Sequence, residues 1–575
     1  MSNHTNSEAI LRSNFFIKLI FGSLILIWVL SYLRIFFGAD VTDEAQYVAS
    51  AYLPSIGGKP FFNDLYIQQT ASLLYAPFVW LYSFVFGSLT GIILAIRNLY
   101  FIFAGLTAYS AYHYFRATCD RLQSFALSTL FITFVPFCIP SLSYNTIGYL
   151  GINCFFIWST ISLRSPRLTA GILSGAFASL SVWSYPTLCI PVVIFYMIAC
   201  LVFFKDKTIL RKILSSACTF GLIMILTLPL LLLAGLENLE MAFNFSRASG
   251  AGGGFEKITY AFQTLFSTLP PVQILAPFVT LWIFFARWKK LSSVWLFLGL
   301  TIFYISFCLS ANPRPTTIFA SHLHLWFLSQ FAVVICLDAW WSARKSDVPL
   351  GVKFLLPLVI SAFIGSLVLT ATSSMTFYPA IYPLVFVLLL AFKEFLTAEN
   401  RVAILYLILI NVATLGLSYS FVYRDDSVEN LGHLIQEGPY AGILTSEARD
   451  RLLNEIQTDI NSLAKAGNSI LFFDSFPAGY LMSSKLPATR SLFMHPLPTY
   501  SWLRPFYADY YLKVSHQPDI IFDFKFIDFS DQDRVNFHYP DETFSGDVLR
   551  LALFQTGFYK KIIQRESYSV YLRNQ

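Results

Sequence analysis

The sequence predicts a mainly α-helical, polytopic membrane protein of about 13 transmembrane helices with a small C-terminal α/β domain outside the bilayer. Three observations predict it. The 575 residues are 56% hydrophobic and only 13% charged, whereas soluble domains carry about 25% charged residues. Apolar runs long enough to span recur from residue 15 to residue 421. From about Arg424 charged and polar residues return and those runs stop.

The first run, Phe15 to Phe37, is preceded by Arg12 and carries Lys18, and reads as a signal anchor. The other predicted spans are 92–115, 122–141, 147–163, 168–184, 187–204, 213–236, 266–286, 291–311, 319–341, 352–371, 378–393 and 402–421. The run 70–90 could be a further span or a segment lying at the surface, and loop charge decides between them. If 70–90 stays outside, fifteen Lys and Arg fall in inner loops, from Arg116 and Arg121 to Lys393 and Arg401. Four then fall outside: Lys59, Arg247, Lys257 and Arg314. Counting 70–90 as a span would reverse this bias. The excess of positive charge on the inner side therefore predicts an inner N-terminus and an outer C-terminus. The expected organisation is a membrane domain, 1–423, with a first outer loop, 38–91, followed by an outer domain, 424–575.

In that outer domain Thr445 or Ser446 starts an amphipathic helix ending before Gly467. Short apolar runs at Ser469–Phe473, Asp519–Phe524, Tyr559–Gln564 and Tyr568–Arg573 are bounded by turn residues and read as strands.

Several function classes are excluded. No basic stretch interleaves with aromatics in a soluble segment, so a nucleic-acid partner is not expected. The eight Cys lie in the apolar part without a CxxC, which predicts buried small hydrophobes rather than a disulfide framework or zinc site. The stretch Gly250–Gly254 lacks the Lys-Ser/Thr of a phosphate-binding loop, and the eight His form no HExxH. No metal ligand set is assigned.

The chemistry concentrates in residues 38–91. Asp43 and Glu44 stand just past the first span, with Asp40 one turn earlier. Ionised groups there are costly unless they face water, a partner or a substrate. After a turn at Gly57-Gly58-Lys59-Pro60 comes a second polar group, Asn63, Asp64, Gln68 and Gln69, and then an aromatic stretch suited to the membrane interface. Solvated loop residues are the plain alternative. The functional reading makes Asp43 or Glu44 a general base at the membrane surface.

The stretch DEAQY, then GKPFFND, then QQ resembles the first outer loop of the GT-C superfamily of polyprenyl-phosphate-sugar glycosyltransferases, which includes protein O-mannosyltransferases and the aminoarabinose transferase of lipid A. Asp43 falls on the acidic residue that opens that loop, and Glu44 on the next position. Asp64 with Gln68-Gln69 is similar to a later D…YxQ piece. Thr376–Pro383 (TFYPAIYP) is similar to the family's Y-x-x-P segment, and Ser469–Arg490 to a strand, turn and "PATR" piece of the outer domain. Two positions depart. Asn145 stands where members often carry a second acidic residue, and Gln46 where some carry a basic one. Asn145 cannot share metal or base work as a carboxylate does, so no cofactor is assigned, and a divalent cation (Mg or Mn) is left open.

The resemblance implies an inverting transfer from a polyprenyl-phosphate sugar donor to a hydroxyl-bearing glycan, lipid or protein acceptor, on the outer face of a bacterial inner membrane among its lipids. Asp43 would be the base and Glu44 would orient the acceptor, the base or a cation. Arg314, with His322 or Lys59 in support, would hold the donor phosphate; His324 opens the next span beside His322, and Arg247 is an alternate cation. Tyr144, Asn145 and Tyr185 would line the cavity with Asp64, Gln68 and Gln69. Snorkelling for Arg314 and ordinary interfacial roles for His322 and the tyrosines stand beside this. A transporter or lipid flippase would instead need charges buried in mid-span and paired, broken helices. An en bloc glycan ligase or polymerase, and a membrane scaffold, complete the alternatives.

Overall fold

The computed structural model describes residues 2–232, 234–249, 258–259, 317–343, 350–373, 378–398, 400–420, 422–473, 476–494, 504–524, 527–528, 536–537, 548–554 and 558–574. The expected spans 266–286 and 291–311, Arg314 and the Gly250–Gly254 stretch lie outside them.

Helix α1 is Ser2–Leu33, α2 Asp43–Tyr52, α3 Gln69–Phe86, α4 Ile92–Phe115, α5 Arg121–Thr133, α6 Tyr144–Arg164, α7 Thr169–Ser184, α8 Cys189–Val202, α9 Lys207–Leu232 and α10 Leu236–Ser249. Then come α11 Thr317–Ala343, α12 Leu355–Thr372, α13 Val385–Ala398 and α14 Asn400–Ser420. Among the described residues five helices are long and apolar enough to cross a membrane: Ile17–Phe36, Ile92–Phe115, Tyr144–Arg164, Lys207–Leu232 and Leu350–Thr372. The chain is an integral membrane protein of mostly helical build.

Thirteen spans are not reproduced, and proline chemistry explains part of the difference. The run 122–141 is helical only to Thr133, then breaks into the 3₁₀ turn Pro136–Cys138, because Pro136 and Pro140 cannot donate to a helical ladder. Phe137 and Cys138 both take left-handed φ near +56° there. Pro186 and Pro379/Pro383 likewise open 3₁₀ turns before α8 and α13, leaving shorter apolar helices. The ambiguous run 70–90 is an 18-residue helix, α3, packed on α2.

The C-terminal region follows its sequence pattern. Helix α15, Glu447–Ser462, precedes strands β1 Ser469–Phe473, β2 Leu486–Pro487, β3 Ile520–Phe524, β4 Tyr559–Gln564 and β5 Tyr568–Arg573. Their order is β2-β1-β3-β5-β4, with β1 parallel to β2 and β3 and the β5 pairings antiparallel. Helix α15 is tied to the sheet by Asp459, whose carboxylate accepts from Arg565 Nη2 at 2.7 Å and from Tyr568 OH at 2.7 Å.

This region is joined to the bundle at the 38–91 loop that follows the first apolar helix. Gly38 (φ +87°) donates its N–H to Leu444 O at 2.8 Å, and a Cβ on it would lie 1.9 Å from Val422 Cγ1. Only glycine fits this close approach. Tyr440 OH donates to Asp40 O at 2.6 Å, and Asp425 accepts from Ala39 N at 2.8 Å and from Thr445 Oγ1 at 2.6 Å. The acidic loop is thus held between the membrane helices and the C-terminal region.

Candidate active site

Asp43 and Glu44 occupy the first turn of α2, where the helix dipole favours carboxylates. Asp40 caps this turn. Its carboxylate accepts from Thr42 N at 2.9 Å, Thr42 Oγ1 at 2.5 Å and Glu44 N at 2.8 Å. Burial, with Asp43 beside it, pushes the Asp40 carboxyl up to about 6.

The adjacent carboxylates meet different partners, because neighbouring helical residues point about 100° apart. Glu44 is fully buried and takes a bidentate pair from Arg97 of α4, Nη2 to Oε2 at 2.5 Å and Nε to Oε1 at 2.8 Å. Arg97 is itself 2% exposed and donates further to Ile35 O (2.7 Å), Phe37 O (3.1 Å) and Gly38 O (2.6 Å). One guanidinium therefore fixes both the exit of the first span and the start of α2. Asp43 retains 17% side-chain exposure, the most open of the acidic cluster. It accepts a short hydrogen bond from Tyr423 OH and faces Arg424 Nη2 at 3.3 Å.

Arg424 sits just past α14 in left-handed backbone, φ +53°. It donates to Thr42 Oγ1 at 2.5 Å, and its guanidinium lies over the Tyr423 and Phe493 rings at 5.1 and 5.6 Å. Burial acts to lower its pKa, but Asp43 outweighs that and holds it above its ordinary value. The result is a partly exposed cation fixed directly against the most open carboxylate.

One turn after Asp43, Tyr47 meets Tyr144 edge-on at 5.7 Å, and Tyr144 meets Tyr185 at 5.3 Å. Tyr382 of the Y-x-x-P segment donates to Asn145 Oδ1 at 3.3 Å. Deeper in α6, Asn153 donates to Tyr382 O and accepts from Phe386 N. The structure therefore brings Tyr144, Asn145 and Tyr185 together beside α2.

The second polar group lies further along the loop and serves its shape. Asn63 Nδ2 donates to Pro487 O at 3.0 Å, and Leu65 N to Arg490 O at 2.9 Å. Gln69 accepts from Phe61 N and donates to Asp64 O and Tyr66 O. Arg490, the last residue of the "PATR" piece, donates to Phe62 O and stacks on the Phe62 ring at 4.4 Å. Asp64 is wholly buried and accepts from Ser50 Oγ at 2.7 Å; burial pushes its carboxyl up to about 7. Gln68 is half-buried, with an Oε1 that has no hydrogen-bond partner among the described residues.

Two expected phosphate ligands are not brought to Asp43. His322 is buried between Phe134 and Phe137, and its Nε2 accepts from Phe137 N at 3.1 Å. That nitrogen is committed to supporting the strained Phe137-Cys138 turn. Lys59 is exposed beyond the far end of α2, about 15 Å of helix from Asp43. Neither the side chain of His324 nor that of Arg247 is among the described groups. The residues that sequence reading missed are Arg97 and Arg424. Arg97 carried a usable signal, an ionisable group inside an apolar run. Arg424 carried only its place as the first charge after the last span.

As placed, these residues do not form a divalent-cation site. Both Glu44 oxygens are committed to Arg97, and Asp43 faces a cation. Among the described residues no group of three or more His, Cys, Asp or Glu could hold a metal ion.

No protein-family model matches the chain, and no curated protein sequence matches it. Among solved structures it is similar to the oligosaccharyltransferase of Archaeoglobus fulgidus. The complex of that protein with zinc and sulfate is 11% identical, with 87% of this chain and 68% of that one covered and a TM-score of 0.47. Its complex with an inhibitory peptide and a dolichol-phosphate is 11% identical, with 88% and 69% covered and a TM-score of 0.46.

Proposed function

We propose that this protein is an inverting GT-C-type glycosyltransferase that moves a sugar from a polyprenyl-phosphate donor to a hydroxyl acceptor at the outer face of a bacterial inner membrane. The observation that carries the reading is the pairing of the most open carboxylate of the acidic cluster, Asp43, with the cation Arg424 at the start of α2. The DEAQY…GKPFFND…QQ pattern supports it.

In this mechanism an Asp43 oxygen takes the proton of the acceptor hydroxyl. The acceptor oxygen attacks the anomeric carbon as the bond from that carbon to the phosphate oxygen breaks, inverting the centre. The electron pair leaves with the polyprenyl phosphate, and its added charge is stabilised by a fixed cation. Arg424 is positioned for that role. Arg314 remains a proposed auxiliary cation. Tyr144, Asn145 and Tyr185 line the sugar's path, and Asp64, Gln68 and Gln69 shape the loop that bounds it. Glu44, through Arg97, acts by holding the α2 N-terminus in register.

The test is Asp43→Asn. Transfer from a polyprenyl-phosphate sugar should fall by about 10²–10⁴, with expression, thermal midpoint and donor binding unchanged. Transfer retained within tenfold of the parent would exclude Asp43 as the base.

A further inference from the structure

The segment that follows α14 closes over the acidic loop. Val422 packs against Gly38 and Asp425 accepts from Ala39 N, and between them Tyr423 and Arg424 both reach Asp43. Successive side chains diverge in a helix and point to opposite faces in a strand. Here they converge, and the backbone that permits it is the left-handed Arg424, φ +53°. That conformation is costly for a residue with a Cβ and persists where the surrounding structure holds it.

The two groups meet the same atom. Tyr423 OH donates to Asp43 Oδ2, and Arg424 Nη2 lies 3.3 Å from that oxygen. Oδ1 has no hydrogen-bond partner among the described residues, and the side chain keeps 17% exposure. One oxygen is therefore held from two sides, which fixes the plane of the carboxylate, and the other is left to the opening.

We propose that Tyr423 is a positioning residue for the transfer: by holding Oδ2 it presents Oδ1 of Asp43 to the acceptor hydroxyl. The inference rests on Asp43 being the base. The acceptor's O–H proton moves to Oδ1 and the acceptor oxygen bonds to the anomeric carbon. The bond from that carbon to the phosphate oxygen breaks, and its electron pair leaves on the lipid phosphate. Tyr423 keeps its own proton throughout and acts only through Oδ2. Misplacing a reacting group by about 1 Å can cost about 10²-fold in rate, so a hydroxyl that only orients the base has a measurable share.

The test is Tyr423→Phe in the full-length protein, assayed as lipid phosphate released from undecaprenyl-phosphate hexoses and pentoses in membranes of the producing cell. The ring is kept, and with it the stacking of Arg424 at 5.1 Å. The rate at saturating donor should fall about ten- to a hundredfold, with donor half-saturation and thermal midpoint unchanged. The acid limb of the rate–pH profile should move up by about one unit, because a carboxylate that loses a donor takes up a proton more readily. The other charged and titratable groups around Asp43 are Arg424, Asp40 and Tyr47, and the variant leaves all three in place.

A fluorotyrosine at position 423, a more acidic donor of nearly the same shape, should move the limb the other way, and it decides the matter if the phenylalanine variant fails to fold. Tyr440→Phe removes another buried hydroxyl from this loop, one bonded to Asp40 O, and should leave the limb in place. In an Asp43→Asn background Tyr423→Phe should cost nothing more, because the two act as one unit. The proposal is overturned by a parent-like rate in Tyr423→Phe, by an unmoved limb, or by an equal movement in Tyr440→Phe. The same fold-loss in the Asp43→Asn background would also overturn it, because Tyr423 would then act elsewhere. Transfer retained by Asp43→Asn alone removes the base reading and this inference with it. A silent Tyr423→Phe beside an inactive Asp43→Asn removes only this one.

Discussion

Two arginine–carboxylate pairs stand side by side on α2, and they behave as different objects. Arg97–Glu44 is closed: both side chains are nearly or wholly buried and the guanidinium is saturated by a carboxylate and three backbone carbonyls. Arg424–Asp43 is more open, with side chains 20% and 17% exposed and an ion-pair contact at 3.3 Å. A closed pair is structural, because breaking it strands a charge where water cannot reach. A partly exposed pair can exchange its partner for a substrate at lower cost than a closed one. In the proposed mechanism, Glu44 is accordingly framework and its neighbour Asp43 does the chemistry.

Breaking the closed pair should have the largest effect. Arg97→Ala leaves Glu44 buried without its cation and should destabilise the protein by about 3–5 kcal/mol, read as a fall in thermal midpoint and yield. Arg97→Gln/Glu44→Gln should recover a large part of that loss. If Glu44→Gln alone removes transfer while the thermal midpoint holds, the closed pair has a catalytic share and the distinction fails.

Asp64 sharpens the comparison, since it is a buried carboxylate that no cation pairs with among the described residues. Its folded pKa, about 7, lies above the ordinary carboxylate value. A raised pKa adds stability below the unfolded value, near 4, and that stability is lost as pH rises through 7. Asp64→Asn should therefore raise the thermal midpoint at pH 8, by up to a few kcal/mol of stability, and the gain should shrink as pH falls toward 5. A gain that does not depend on pH would contradict the burial account.

Changes at the open pair should act on rate instead. Arg424→Ala should slow transfer by about 10- to 100-fold with little change in thermal midpoint, and Arg424→Lys should recover part of it. A large stability loss in Arg424→Ala would make the second pair structural too. The smallest effect is expected at the loop's outer clamp. Arg490→Ala removes a half-buried cation stacked on Phe62 and should cost about 1 kcal/mol, visible as faster proteolysis of the 57–68 turn.

Much of the fold was legible in the residues. Strand residues Ser469–Phe473, Tyr559–Gln564 and Tyr568–Arg573 alternate or run apolar between turn residues and are strands at those bounds. Span lengths were less legible, because hydropathy runs through Pro136 and Pro186 without registering that the ladder stops there. At the site, the acidic cluster at the start of α2 could be found from composition alone. His322 could not be placed, because a buried acceptor nitrogen and a phosphate ligand have the same one-letter signature.

The sequence by itself determined that this is a membrane protein with an acidic first loop and a C-terminal sheet, since those follow from local composition and periodicity. Only the tertiary structure decided which acidic residue is available for chemistry. Asp43 and Glu44 are equivalent in sequence, and what separates them is distant. Arg97 lies 53 residues from Glu44, and Tyr423 lies 380 residues from Asp43. Helix α2 aims one side chain into the bundle and the next toward Arg424, and burial does the rest.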